Sequence, residues 1–297
     1  MVLSELKTER QNRASSDLDK LSALEIATLM NRQDAKVVRA VRQALPSIAK
    51  AIDVVRDRLA AGGRLIYVGS GTSGRIGALD ASGCPPTFGT DPAMVQYVMA
   101  GGERALASAA EASEDSLQLG ASDMAARKPG KKDVVVGLAA SGRTPYTVAA
   151  LKYASQKGAA TIAIICNTGS ELADVADIAI EADAGPEVLT GSTRLKAGTA
   201  QKLICNMLTT GAMARLGYVY GNLMVNVHMK NEKLIERGIY IVRRVAKVNR
   251  DIAQATLEAS DMKVSVALVM LCAKVSKPEA IRRLKRAQGN IRKAIEA

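Results

Sequence analysis

Between residues 22 and 63 the apolar positions recur every three or four residues, in "SALEIATLMNRQDAKVVRAVRQALPSIAKAIDVVRDRLAAGG". This is the spacing of amphipathic helices, and the closing glycines mark where they end. Residues 1–60 are therefore expected to be helical. Beyond Gly63 the period changes. Short β-branched runs follow: RLIYV (64–68), MVQYVMA (94–100), DVVVGLAA (133–140), ATIAIIC (160–166) and DIAIEA (177–182). Helix-like segments separate them, a pattern that predicts βαβ units around a parallel sheet. A long helix is expected from Leu195 through "LKAGTAQKLICNMLTTGAMARL", and the rest reads as helical with a break near Ser276–Pro278. At the end of the chain Ala280, Ile281, Leu284, Ile291 and Ile295 can share one inner face. The expected organisation is α/β: a helical segment 1–60, a sheet domain 61–220 and a helical region 221–297.

Composition narrows the class. The chain has 297 residues, 48% of them apolar, which is enough to bury a sizeable core. No apolar run approaches the ~20 residues of a membrane span, and the polar start MVLSELKTERQNR lacks the apolar centre of a secretory signal. Four scattered cysteines with no C-x-x-C pair fit a reducing, cytoplasmic setting, with Cys166 and Cys205 expected as small core residues. A single histidine, His228, and no cysteine cluster leave few zinc ligands, so no metal is expected. The formal charge of +12 invites a nucleic-acid reading, but residues 230–297 alone hold 16 Lys/Arg against 7 Asp/Glu. The excess thus falls on amphipathic helices, and with one Phe, seven Tyr and no Trp there is little to stack on bases. Neither nucleic acid nor membrane is an expected partner.

Candidate chemistry gathers where strands run into helices, because helix N-termini there offer free N–H groups and partial positive charge. The first such junction is "GSGTSGR" (69–75), with Ser70, Thr72, Ser73 and Gly74. The second is "AASGRTPY" (139–146), with Ser141, Gly142 and Arg143; Thr144 is a plausible N-cap, with Pro145 at the first helical position. The third, "GPEVLTGSTRLKAGTAQK" (185–202), carries Glu187, Thr190, Ser192, Thr193 and Lys196. Residues 69–74 match the G-x-G-x-x-G of a dinucleotide turn. However, Asp91 does not end the next strand as the acidic partner should, and Arg75 stands where a Walker lysine pattern would begin. Small hydroxyl residues repeated at three junctions point instead to a small phosphorylated, polyhydroxylated ligand.

At this point the residues resemble a known family. "GRLIYVGSGTSGRIGALDASGCPPTFGTDP", "VGLAASGRTPYTVAAL", "GPEVLTGSTRLKAGTAQKLICNMLTTGAM" and "NLMVNVHMKNEKL" are similar to the SIS (sugar isomerase) domain of the N-acetylmuramic acid 6-phosphate etherases. The start, "TERQN…DLDKLSALEIATLMNRQD", extends the likeness over nearly the whole chain. The resemblance implies a SIS-type three-layer sandwich with a mostly parallel sheet, flanked by N-terminal and C-terminal helices, the latter ending in a small three-helix module. It implies a cytoplasmic homodimer of cell-wall recycling that uses no metal or organic cofactor. Its substrate would be N-acetylmuramic acid 6-phosphate, cleaved by elimination and hydration to N-acetylglucosamine 6-phosphate and D-lactate.

The resemblance also assigns roles. The family's "EGAED"-type segment maps onto "EASED" (111–115) and makes Glu114 the base. Its "SECPPT"-type segment, which carries the acid glutamate, maps onto "ASGCPPT", where the residue is Gly83. A positioned acid or base is typically worth on the order of 10² to 10⁴ in rate, so impaired turnover is expected. Gly83 has three readings: a substitution; the natural residue of a non-catalytic sensor, as in the related glucokinase regulatory proteins; or a site whose proton comes from elsewhere, from Asp80 or water. Ser70, Thr72, Ser73, Ser141, Gly142, Thr144 and Ser192 are the expected phosphate and sugar contacts. Arg143 is a partner for phosphate or the lactyl carboxylate, or a solvated side chain. Glu187 is a hydroxyl contact or a structural group, and Lys196 an anion partner or a solvated one. An aldose–ketose isomerase would share the use of Glu114, but no second base is apparent.

Overall fold

In the computed structural model, residues 6–108, 113–226, 229 and 231–297 are described. The chain forms two compact units, one of residues 1–82 and 93–209 and one of residues 83–92 and 210–297.

In the first unit the amphipathic stretch forms α1 (Ala23–Gln43) and α2 (Leu45–Ala60). Ser22 and Glu25 start α1 as a reciprocal capping box, and Pro46 begins α2 where a missing N–H costs nothing. Residues 6–21 depart from the helical expectation. Lys7–Glu9, Arg13–Ser15 and Leu18–Lys20 are single 3₁₀ turns in an otherwise irregular strap. Side-chain bonds hold it: Asn12 Nδ2 donates to Pro186 O at 3.1 Å, Ser15 Oγ to Val188 O at 2.7 Å, and Lys7 pairs with Asp183.

All five apolar runs are strands: β1 (Leu65–Gly69), β2 (Val95–Met99), β3 (Val134–Ala139), β4 (Ala160–Ile165) and β5 (Ile178–Glu181). Among the described residues they form one parallel sheet in the order β2-β1-β3-β4-β5, with Leu65 beside both Val95 and Val134. Every residue of β1, β3 and β4 is buried, as expected for a parallel sheet covered on both faces.

Alternation along the strands separates two cores. Ile66, Val68, Val135 and Ile165 pack with Met124 of α4 (Leu117–Ala126), Leu151 of α5 (Pro145–Gln156) and Leu172 of α6 (Glu171–Asp174). On the other face, Gly77 of α3 (Gly71–Phe88) lies so close to Tyr67 that an added Cβ would meet its Cβ at 2.8 Å. The long helix expected after Leu195 is α7 (Lys196–Leu216). Asp133 clamps the start of β3 to that of β1. It accepts from Arg64 N at 2.9 Å, Arg64 Nε at 3.1 Å, Arg64 Nη2 at 2.7 Å and Gly130 N at 2.9 Å. Burial opposes its charge, but the bonds to Arg64 and Gly130 prevail and hold its carboxyl below the usual range.

The second unit contains the hairpin β6 (Val219–Tyr220) and β7 (Leu223–Met224), then α8 (Glu232–Ala246), α9 (Arg250–Ala259), α10 (Val264–Ala273), α11 (Lys277–Arg286) and α12 (Ile291–Glu296). The apolar α10 is central and packs against the four other helices. Ala280 and Ile291 are buried and Leu284 and Ile295 partly so, but Ile281 is 45% exposed. It therefore lies outside the inner face expected for it. Some of the basic residues pair with acidic neighbours within the unit, Arg282 and Arg283 with Glu279, and Arg250 with Glu236. A cavity of about 510 Å³ opens in this unit, lined in part by Phe88, Tyr218, Met262 and Leu284; none of the expected site residues lines it.

Candidate functional site

Strand β1 is buried to its end and delivers the chain into a turn that only small residues can make. A Cβ on Gly74 would meet Gly69 O at 2.8 Å, and one on Gly69 would meet Gly74 N at 2.9 Å. Ser70 emerges from this turn and α3 begins at Gly71, so the first-turn N–H groups of Gly71–Ser73 lack intrahelical acceptors.

The carboxylate expected as the base comes to this turn. Ser70 Oγ donates to Glu114 Oε2 at 2.9 Å. Glu114 is also held through its main chain, its carbonyl accepting from Tyr146 N at 3.0 Å. Tyr146 is the second residue of α5, so Glu114 is tied to the first and second junctions together. Of the EASED segment, Ser113–Asp115 are described.

At the second junction, β3 ends in a turn through Gly142 at φ +72°, a left-handed conformation that favours glycine. An added Cβ there would lie 2.2 Å from Ser170 Oγ. Ser141 Oγ accepts from Arg143 N at 3.2 Å. Thr144 stands at the N-cap of α5 with Pro145 next, as expected, but its hydroxyl makes no capping bond. The Nε of Arg143 is shielded from solvent and has no hydrogen-bond partner among the described residues.

The third junction is differently employed. Glu187, 1% exposed, caps α7 with both oxygens: Oε2 accepts from Lys196 N at 3.0 Å and Oε1 from Ala197 N at 2.9 Å. Lys196 is equally buried, its Nζ donating to Ala184 O at 2.8 Å. Burial lowers its pKa despite the opposing influence of Glu187. Both side chains therefore act inside the protein, and the solvated reading of Lys196 is overturned. Ser192 lies partly exposed in the loop before α7.

Two more residues are internally engaged. Ser73 is 8% exposed, and its hydroxyl donates to Gln201 Oε1 at 2.9 Å. Asp80 lies on α3, one turn before Gly83. It accepts from Tyr67 OH at 2.8 Å, Asn206 Nδ2 at 2.6 Å and Thr209 Oγ1 at 3.2 Å. This buried network argues against Asp80 as the replacement proton donor. Thr72 is partly exposed on the first turn of α3, and α7 comes close to it at Gly198, where a Cβ would meet Thr72 Cγ2 at 3.5 Å. Gly83 is helical, and a Cβ added there meets nothing within 4 Å.

His228 lies outside the described residues. Cys166 and Cys205 are buried, as expected, and burial pushes the Cys166 thiol up to about 12. Among the described residues, no group of three His, Cys, Asp or Glu could hold a metal ion, and no helix is long and apolar enough to cross a membrane. The sequence reading missed Gln201. Its signal is a polar residue on a stripe of α7 where Ala197, Ala200, Ile204 and Leu208 are buried.

Residues 47–155 match the family model of the glucokinase regulatory protein N-terminal SIS domain, and residues 120–211 that of the SIS domain. Three relatives named N-acetylmuramic acid 6-phosphate etherase are similar over nearly the full length. One from Burkholderia lata is 52% identical, covering 99% of this chain and 97% of its own. One from Mycolicibacterium smegmatis is 50% identical with 100% of both chains covered. One from Clostridium beijerinckii is 48% identical, covering 99% of this chain and 97% of its own. Among solved structures, a chain from E. coli CFT073 has a TM-score of 0.50 and 17% identity, over 68% of this chain and 97% of that one. A Listeria monocytogenes chain has a TM-score of 0.50 and 14% identity, over 66% of this chain and 91% of that one. At such identities the likeness is one of fold.

Proposed function

The chain belongs to the N-acetylmuramic acid 6-phosphate etherase family, and from that premise we propose how its junctions carry the reaction. The protein is a carbon–oxygen lyase that cleaves the D-lactyl ether of N-acetylmuramic acid 6-phosphate, giving N-acetylglucosamine 6-phosphate and D-lactate in cell-wall recycling. The relatives do not favour the sensor alternative.

In the open-chain sugar the C2 proton is α to an aldehyde and the lactyl ether oxygen on C3 is β to it. Glu114 takes the C2 proton, the enolate forms, and its electrons expel the C3–O bond. The leaving lactate oxygen takes a proton, since an alkoxide leaves poorly. Water then adds to the unsaturated intermediate. The observation that carries this reading is Glu114, held between two junctions by the Ser70 hydroxyl and the Tyr146 amide. Phosphate and sugar hydroxyls are taken by Ser70, Thr72, Ser141, Thr144 and Ser192 with the first-turn amides of α3, whose partial positive charge suits an anion. Ser73, which donates to Gln201, joins them by turning its hydroxyl. The acid step is the one weakened by Gly83, with water as the remaining donor. A homodimeric, cytoplasmic protein is the corresponding assembly, on the family resemblance.

The test is D-lactate release from N-acetylmuramic acid 6-phosphate in deuterated water, with solvent deuterium at C2 followed in parallel. Exchange with slow lactate release supports Glu114 as base with a lost acid. Absence of both signals, with sugar phosphate bound, would return the sensor alternative.

A further inference from the structure

Five cationic side chains stand at the three junctions: Arg75, Arg143, Arg194, Lys196 and Lys202. Arg194 and Lys202 are exposed, and the protein itself employs Arg75 and Lys196. Arg75 donates from Nε to the carbonyls of Ala105 and Leu106, each at 3.1 Å, and from Nη2 to that of Ser108 at 3.0 Å. Lys196 is buried with its ammonium on Ala184 O. Arg143 differs. Among the described residues no carboxylate or carbonyl pairs with its guanidinium, and its Nε is both inaccessible to water and unpartnered. A donor left this way carries a desolvation cost that an incoming acceptor would relieve. The residue as a whole is partly exposed, so a turn of the side chain can bring its guanidinium to an incoming acceptor.

Its placement is well determined. Gly142 fixes the preceding turn, and the Arg143 amide is anchored on Ser141 Oγ at 3.2 Å. Three residues later the Tyr146 amide holds the Glu114 carbonyl at 3.0 Å. Arg143 and Glu114 thus share the N-terminal end of α5.

We propose that Arg143 is the specificity-determining residue that binds the lactyl carboxylate of the substrate, its side chain turning to present Nε–H and a neighbouring Nη–H. This rests on the etherase reading above. The substrate bears two anions of different shape. Its phosphate suits hydroxyls and helix amides, whereas a planar carboxylate suits the side-on fork of a guanidinium. The lactyl carboxylate also lies near the reacting carbons, being attached to the ether oxygen on C3, next to the C2 whose proton Glu114 takes. A group that binds it must therefore sit beside Glu114. The product sugar has no such carboxylate, so Arg143 would distinguish substrate from product.

The test compares dissociation constants for N-acetylmuramic acid 6-phosphate and N-acetylglucosamine 6-phosphate, measured by calorimetry in a Glu114→Gln background so that turnover does not consume the ligand. Arg143→Met should weaken the first by roughly 30- to 1000-fold, the cost of losing one partner of a desolvated charge pair, and leave the second within about threefold. Arg143→Lys, which keeps the charge and the fold but loses the fork, should fall between, roughly tenfold weaker for the substrate alone. Parallel weakening of both ligands would overturn the proposal in favour of a phosphate contact. No change in either would overturn it in favour of a solvated side chain. A background protein that binds neither ligand would instead refute the etherase reading itself.

Discussion

Of the four glycines of helix α3, Gly74 and Gly83 answer to different physics. Gly74 sits where the backbone of β1 and the first turn of α3 nearly touch, and any side chain would enter the space of Gly69 O at 2.8 Å. Gly83 lies in the last turns of the helix, two residues before Pro85, with no described residue within 4 Å of where its Cβ would be. Packing demands the first glycine. Nothing in the backbone demands the second, and in a helix interior glycine is less favourable than alanine by about 1 kcal/mol. A residue the fold does not require is read through chemistry, and at position 83 the chemistry expected by family resemblance is a carboxylic acid.

The largest effects should come from supplying or removing a carboxyl group. Gly83→Glu should raise D-lactate release by roughly 10²- to 10⁴-fold, as expected for a restored general acid. Comparable rates for the two proteins would sink the idea that turnover is impaired here. Glu114→Gln should lower lactate release and C2 deuterium exchange together by roughly 10²- to 10⁴-fold. In the Gly83→Glu background it should abolish the gain, and a surviving gain would remove Glu114 from the reaction.

Smaller effects test the glycines that packing requires. Gly142→Ala should destabilise the protein by about 2–4 kcal/mol, read by urea denaturation, since it forces a left-handed residue and a contact with Ser170. Gly83→Ala should instead stabilise by about 0.5–1 kcal/mol. If both substitutions proved equally costly, the contrast between the two kinds of glycine would fail.

A charge does the same structural work at the foot of the sheet. Asp133→Asn should cost about 2–3 kcal/mol at neutral pH, because it leaves Arg64 without its carboxylate. The folded Asp133 carboxyl titrates below its unfolded value, so it binds fewer protons in the native state. Its stabilisation is therefore complete above the unfolded value of about 4 and is lost as pH falls through the lower folded value. Unfolding curves of the two proteins should converge on acidification below about pH 4; a constant gap would show that the charge is not responsible.

Much of the fold was legible because its signals are local. A parallel strand buried on both faces is a short apolar run wherever it lies, so β1 to β5 could be marked out from RLIYV to DIAIEA. Amphipathic spacing likewise revealed α1 and α2, and "GSGTSG" and "SGRTP" announced tight strand-to-helix turns because few other residues can make them. Glu114 and position 83 were singled out by resemblance, since no periodicity distinguishes one carboxylate from its neighbours.

The partner of each polar side chain was decided by tertiary structure alone. Glu187, Lys196, Ser73 and Asp80 all look like ligand-facing groups in sequence, yet each is engaged inside the protein by residues brought together only by folding. Arg143 resembles Arg75 in sequence, and only the packed structure shows Arg75 employed and the Nε of Arg143 without a partner among the described residues. The N-terminal strap has no period to read, because bonds from Asn12 and Ser15 to a loop more than 170 residues away hold it in place. Backbone conformation follows from nearby residues and their apolar pattern. The occupation of a donor or acceptor depends on which distant groups come within about 3 Å of it, and that is set when the layers pack.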